Sequence, residues 1–447
     1  MQRRCLKTGG MILVITLMTL CITANSWAAG FSLMLKGIKG LGNSFAGGAA
    51  SAEDASTIYY NPAGLTRSLD NQVLIYGQTV RPSFTFTDEG STTVLGQDLT
   101  GGNGGDAGKL NFLPGGFFSQ KLTDELTIGF GVVSPFGLSS EYDSNWKGRY
   151  HAIKSSVLTV DINPTVAYQI NDQWAIGVGI SAQYINAELT NAIDYGTLMA
   201  SLGIVPLTEA QRADGTVKLE ANDWAFGYNW GILLTLNENT RFGLSYRSKI
   251  SYKLTGKATF STPPPASGIA SVLGYVNTGG RTQIDMPGNV SISGYHQIND
   301  QWAVMGDINW TNWDILDKLR IQFDTGAPDN VITYEWEDSL RYALGTTYVH
   351  NGQWVFRMGV AFEETPVPDA RYRIPRIPDE DRYWFSMGTG YQFSNRLGLD
   401  IGYSFLLARK ADMDKIAAGE DRYRGALQGT FKGHSNVFGA QLIWNFN

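Results

Sequence analysis

The chain has 447 residues, with 35 Lys and Arg against 41 Asp and Glu, 52 Gly, 12 Trp, 21 Tyr, 21 Phe and 2 Cys. At 43% hydrophobic it is too apolar for a disordered tail, and its net charge of -6 argues against a nucleic-acid binder, which needs a Lys/Arg surplus to neutralise phosphates. The glycine excess and the low share of charged residues favour a β-rich chain, and no Pro/Ser-rich linker divides it, so one large domain is expected.

The first residues form an address. Arg3, Arg4 and Lys7 precede an apolar run from Met11 to Ile22, and Ser26 and Ala28 take the small-residue positions of a cleavage site. Residues 1–28 therefore read as a secretory signal peptide, with Ala29 first in the mature chain. The competing reading, a lipoprotein signal ending at Cys21, is disfavoured by Leu20 before it. Cys5 and Cys21 both leave with the peptide, so neither disulfides nor thiolate metal sites are expected. The apolar run is shorter than the ~20 residues of a helical span, and nothing later is comparable. A membrane form of this chain would cross with strands.

Residues 29–70 follow, with Gly37, Gly40, Gly42, Gly47 and Gly48 and no alternation. A segment of this size suits a compact plug inside a lumen or a loose periplasmic extension. From about Val73 the pattern changes. Trp174, Ile176, Val178, Ile180, Ala182 and Tyr184 alternate with small or polar residues, as do Leu397, Leu399, Ile401, Tyr403 and Phe405. Period two is strand. Many runs extend over roughly 12 to 20 residues, longer than the ~5–6 of globular strands and enough for the ~9–11 that cross a bilayer.

Short polar turns are predicted at 123–125, 171–173, 237–239, 299–301, 351–352 and 394–396, and Trp174, Trp302 and Trp354 follow three of them like an interfacial girdle. Longer Gly/Pro-rich connections lie between, for example 88–108, 191–217, 261–280 and 366–378. Six short turns and seven long connections predict 14 strands over residues 71–447. The fold class is all-β: an even-stranded antiparallel transmembrane β-barrel, placed in the bacterial outer membrane, with both termini on the short-turn side.

A set of motifs then carries a family resemblance. Ala29-Gly30-Phe31, Gly40-Leu41-Gly42, Ala52-Glu53-Asp54-Ala55 and Asn61-Pro62-Ala63-Gly64 are similar to the N-terminal hatch of the FadL/TodX family of outer-membrane transporters of hydrophobic compounds. Pro135-Phe136-Gly137-Leu138, residues 146–152, Ile162-Asn163-Pro164, Tyr246-Arg247-Ser248, Trp310-Thr311-Asn312-Trp313, residues 366–370 and residues 376–384 extend it over nearly the whole mature chain. The resemblance implies a 14-stranded barrel plugged by the hatch, residues 29–70. It implies passive uptake of long-chain fatty acids or similar apolar molecules, captured among outer loops, passed to an internal pocket and released sideways near a kinked third strand. No cofactor, ATP or ion site is implied, and a monomer in contact with outer-membrane lipid is expected.

Gly129, Gly131, Pro135 and Gly137 lie where the third strand should bend, because proline cannot donate to a ladder and glycine marks bulges. Turning the strand into an outer loop is the competing reading. Arg320 occupies a place where a relative has a ligand-binding lysine and is the candidate partner of a fatty-acid carboxylate; a wall ion pair with Asp307, Asp314 or Asp324 is its equal rival. A second base of that relative would fall at 188–194, where this chain has none, which keeps monoaromatic or alkane ligands open. Asn61, Pro62 and Ala63 read as a hatch switch or a fixed turn. Arg149, Arg376 and Arg382, beside Glu141, Asp379, Glu380 and Asp381, read as ties between loops.

Rival classes fare worse. Only His151, His296, His350 and His434 could serve as a catalytic base, and neither H-E-x-x-H nor G-x-S-x-G accompanies them, so no enzyme is expected. A receptor or adhesin would suit the loops but leaves residues 29–70 without a purpose.

Overall fold

The computed structural model describes residues 30–67 and 71–446; the signal-peptide expectation, Ala29 included, lies outside them. Beyond residue 70, β-structure dominates. The first segments are β1 (Asn71–Asp88), β2 (Asn111–Lys121), β3 (Leu126–Val133), β4 (Gly137–Glu141), β5 (Lys154–Gln169), β6 (Trp174–Asp194) and β7 (Asp214–Asn237). Then come β8 (Thr240–Arg247), β9 (Ile250–Ser261), β10 (Thr278–Met286), β11 (Asn289–Gln297), β12 (Trp302–Thr311), β13 (Lys318–Phe323) and β14 (Asn330–Thr333). β15 (Ser339–Val349), β16 (Trp354–Glu363), β17 (Arg382–Ser394), β18 (Leu397–Ala408), β19 (Ala411–Lys415) and β20 (Leu427–Phe446) complete the wall.

These segments make 14 staves, since β3/β4, β8/β9, β10/β11, β12/β13, β14/β15 and β18/β19 are each one stave broken once. Each stave runs antiparallel to the next, and β1 pairs with both β2 and β20, the latter from Asn71–Phe446 to Asp88–Gly429. The sheet is a closed barrel, which leaves no edge unpaired at the seam between first and last stave.

Period-two burial follows from closure. On β6 the side chains of Ile176, Val178 and Ile180 point outward and stay exposed while Ala175, Gly177 and Gly179 face the lumen. Phe226, Leu344 and Met358 continue the apolar outer band, a surface made for lipid. The short turns are built by asparagine. Asn171 Oδ1 accepts from the amides of Gln173 and Trp174 at 2.9 and 3.0 Å, and Asn299 repeats this at 2.9 Å to Gln301 and Trp302. This side-chain turn ends one stave and starts the next on an outward tryptophan.

Residues 30–67 lie inside the barrel. They form two short helices, Ile38–Gly42 and Thr57–Tyr60, and a 3-10 turn, Pro62–Arg67. Leu33, Ile38, Leu41, Phe45 and Ile58 are buried in one cluster with wall residues such as Leu74, Phe117, Met305 and Val437. Wall polar groups satisfy backbone that helix and sheet leave open. Arg241 donates to Ala50 O and Ser51 O at 3.0 and 2.7 Å, Arg341 to Ser44 O, and Gln78 to Leu35 O at 2.9 Å, while Gln441 Oε1 accepts from Ile38 N at 2.6 Å. A segment with little regular structure can stay in a lumen only if its amides are paired in this way.

Candidate functional site

Above the interior segment, toward the long loops, lies a half-open apolar cavity, with about 830 Å³ of free space when the solvent at its mouth is included. Alternation on the wall supplies most of its lining: Leu138 of β4, Ile185 of β6, Leu219 of β7, Leu254 of β9, Met286 of β10 and Leu319 of β13 all face inward. Its floor is Phe31. That ring sits 5.0 Å from Trp313 and 6.0 Å from Trp336, and Gly30 before it has φ 63° with both indoles where a Cβ would stand. Only glycine fits there. The amide of Gly30 donates to Asp379 Oδ2 at 3.1 Å, so the start of the interior segment is pinned to the loop between β16 and β17. Burial pushes the Asp379 carboxyl up to about 6, although the Arg382 guanidinium beside it favours its charged form.

One charged group at this cavity stands apart. Arg376, 4% exposed, donates from Nη1 to Ser155 Oγ and Lys154 O at 3.0 and 3.2 Å and from Nη2 to Asn191 Oδ1 at 3.1 Å. Its Nε is buried without a partner, and no carboxylate of the described residues lies within ion-pair distance. Burial lowers its pKa to about 10, which leaves it a cation at neutral pH. A buried guanidinium held only by neutral acceptors, at the edge of an apolar cavity, has its charge uncompensated by any carboxylate of the described residues.

Arg376 does tie its loop to β5 and β6, as expected, but through neutral oxygens and not through the carboxylates beside it in sequence. Its companions do use carboxylates: Arg149 pairs with Asp214 at 2.7 Å, and Arg382 with Glu363 and Asp379 at 3.2 Å each. Arg320 is placed on the opposite face of β13 from Leu319 and Ile321. It is 52% exposed and pairs with Asp329 at 3.0 Å, so it is not brought to the cavity, and its partner is none of the three aspartates expected. Alternation along one strand is the physical reason.

The third stave is interrupted. β3 stops at Val133 and β4 begins at Gly137, and the interior segment fills the interval: Leu33 N donates to Pro135 O at 2.7 Å and Gly137 N to Phe31 O at 2.9 Å. β2 pairs with β3 only from Gly116 to Lys121, while its stretch 111–115 pairs with β1 alone; β4 pairs with β5 and, at its far end, meets the residues before β2 through the single bridge Gly108–Ser140, where Glu141 N donates to Ala107 O at 3.0 Å. No ladder joins β2 to β4 among the described residues. Pro114, which lacks an amide proton and so marks in the sequence where a ladder is weakened, sits in this stretch.

Pro135 and Gly137 thus flank the interruption, but Gly129 and Gly131 do not. They lie within the fully paired part of β3, where a Cβ on Gly129 would come within 2.7 Å of Ile58 and 2.8 Å of Leu65, and one on Gly131 within 2.9 Å of Phe117. Their role is room for the interior segment and for an aromatic ring. Asn61, Pro62 and Ala63 brace that segment from below. Asn61 Nδ2 bonds Ala49 O at 2.6 Å and Ile232 O at 3.0 Å, its Oδ1 accepts from Ala63 N at 3.0 Å, and Pro62 and Ala63 lie against Gly177 of β6.

Comparison with known proteins accords with this architecture. The profile of the family described as outer membrane protein transport protein (OMPP1/FadL/TodX) matches residues 19–446. The long-chain fatty acid transport protein of Escherichia coli O6:H1 is 30% identical over 442 residues, covering 95% of this chain and 96% of that protein. A solved FadL homologue of Pseudomonas aeruginosa superposes with a TM-score of 0.88 at 24% identity, over 94% of this chain and 100% of its own. The toluene transporter TodX of Pseudomonas putida does so with 0.65 at 17%, over 91% and 98%.

Proposed function

Since the chain belongs to the outer-membrane protein transport family of FadL and TodX, we propose that it takes up long-chain fatty acids across the bacterial outer membrane. The observation that carries this reading is Arg376, a buried cation without a carboxylate, at the head of an apolar cavity. A fatty acid brings what that site lacks. Its carboxylate meets the guanidinium, and its tail lies along Leu138, Leu219, Leu254 and Met286. The chain is a transporter and not an enzyme.

The route follows from solvation. A tail loses roughly 0.8 kcal/mol for each CH₂ returned to water, so a wet pore is a poor path and a dry exit into lipid a good one. The interrupted third stave supplies such an exit, with the strip 31–33 standing in it. Residues 1–28 serve as a cleaved signal peptide, residues 29–70 as the hatch whose shift opens the exit, and the barrel works as a monomer that delivers cargo to outer-membrane lipid. Transport is downhill.

The test is to purify the mature barrel in mild detergent, extract it and identify bound lipids by mass spectrometry, beside Arg376→Gln and Arg320→Ala. Free fatty acid that is present in the parent and in Arg320→Ala but lost in Arg376→Gln supports the reading. Neutral hydrocarbon retained equally by all three replaces it with alkane or monoaromatic uptake, which needs no basic partner.

A further inference from the structure

The cavity also meets the wall at a second place, far along the ring from the third stave. β10 pairs with β9 over its whole length, from Thr278–Ala258 to Met286–Ile250, but with β13 at only two positions, Gly280–Phe323 and Arg281–Gln322. The cause is a surplus. Between the pairs Asn289–Thr311 and Arg281–Gln322, the ninth stave carries three more residues than the eighth, taken up by the 3-10 turn Trp313–Ile315, and Pro287 interrupts the facing stave. The amides of residues 282–286 on that side have no ladder partner. Thr282, Ile284 and Met286 on one flank, and Leu319 and Ile321 on the other, all line the cavity. This seam is thus an unbonded joint with apolar inner edges.

Its outer surface is cationic. On the outward face of the β9–β10 pair, Arg281 lies opposite Thr255, so Lys253 and Lys257 are its diagonal neighbours on either side. All three are exposed, and none makes an ion pair with a described residue; Glu220, opposite Lys257, is engaged by Lys218 at 2.7 Å. Like charges at this spacing repel unless an anion lies among them. The register also gives the height. Thr255 pairs with Asn222 and Lys257 with Glu220 of β7, so Arg281 stands one step and Lys257 two steps above the exposed, outward Trp224 while Lys253 is level with it, a span that reaches from the aromatic level toward the headgroups.

We propose that the seam between β10 and β13 is a second lateral portal, through which the tail of an anionic single-chain amphiphile passes between the headgroup layer and the cavity while its head rests on Arg281, Lys253 and Lys257. This rests on the assignment of the cavity to fatty acids. The portal admits cargo already dissolved in the outer leaflet, without passage over the loops, and the third-stave interruption remains the exit. Between Arg281–Gln322 and the bond from Asn312 N to Gly288 O, no ladder pair of the described residues joins the two staves, so the joint at Ile284 and Leu319 can part without breaking a ladder.

The test locks the joint. Gln283 and Arg320 lie two positions beyond the Arg281–Gln322 pair, both outward and away from the cavity lining, and residues 29–447 contain no other cysteine. In lipid nanodiscs, the oxidised Gln283→Cys/Arg320→Cys barrel should load radiolabelled palmitate from the bilayer about tenfold more slowly than its reduced form, a barrier higher by about 1.4 kcal/mol. Ile284→Trp, which wedges the joint without a disulfide, should slow loading similarly. Lys253→Glu/Arg281→Glu should slow palmitate about tenfold and leave hexadecane unchanged, since rim charges act on association. Equal rates in oxidised and reduced forms, with Ile284→Trp also at the parent rate, would overturn the portal while leaving the cavity assignment intact. Failure of the parent barrel to retain palmitate would overturn both.

Discussion

Arg376 and Arg320 carry the same group, yet burial gives them opposite parts. Arg320 is half in solvent beside Asp329, where an exposed pair contributes about 0–1 kcal/mol. Arg376 is held by neutral oxygens alone, and a charge-assisted bond there is worth about 1.5–3 kcal/mol. Arg376→Gln should therefore weaken palmitate binding by about ten- to a hundredfold, measured by titration calorimetry, and Arg320→Ala should leave it within twofold. His151 gives a pH prediction. Burial pushes its imidazole down to about 4, against the attraction of Asp421 and with Arg424 and Lys415 opposing its charge, and Nε2 faces Gly425 O at 3.0 Å. A folded-state value below the unfolded one means that the opened loop binds the proton more readily. The clasp between loops 142–153 and 416–426 should lose stability as pH falls from about 6.5 toward 4, by up to about 1.4 kcal/mol per unit. Limited proteolysis of these loops at pH 7 and pH 5 checks it, and His151→Gln should remove the difference.

Among the elements, the third stave shows how a break is arranged. Pro135 and Gly137 end its ladder, and Phe31 and Leu33 take the vacated bonds, so the wall there depends on a strip that is not part of the wall. The glycines of neighbouring staves serve the seating of that strip. A Cβ on Gly177 would stand 2.4 Å from the backbone of Pro62 and Ala63, which cannot yield as a side-chain end does. Gly177→Ala should displace the interior segment at a cost of about 1–3 kcal/mol, seen as a rise in single-channel conductance with barrel circular dichroism unchanged. A parent-like conductance would show that the Asn61-Pro62-Ala63 brace is not needed. Pro114 and Pro135 were both open to inspection in the chain, but which glycines bend a strand and which make room was not, since the same residue type answers both demands.

At the scale of the whole molecule, residues 30–67 pack against the inner wall, and wall arginines donate to their carbonyls. Deletion of residues 29–65 should leave a folded barrel that passes small hydrophilic solutes, read by antibiotic sensitivity or bilayer conductance, with selective fatty-acid uptake lost. An unchanged permeability would refute the plug. The number of staves, the ends that carry short turns and the lipid-facing side of strands such as those at Trp174 and Leu397 were readable from the chain, because pleating ties side-chain direction to residue parity and Asn-x-Gln-Trp turns are local. What lines the cavity was not readable. Arg376 reaches the cavity through the loop that carries it over staves it never neighbours in sequence, and Arg320 is turned away by one residue of register, while the joint between β10 and β13 exists because two staves of unequal length are forced to close one ring. Local patterns set which face a residue takes; closure of the cylinder, a constraint on all the strands at once, sets which faces meet.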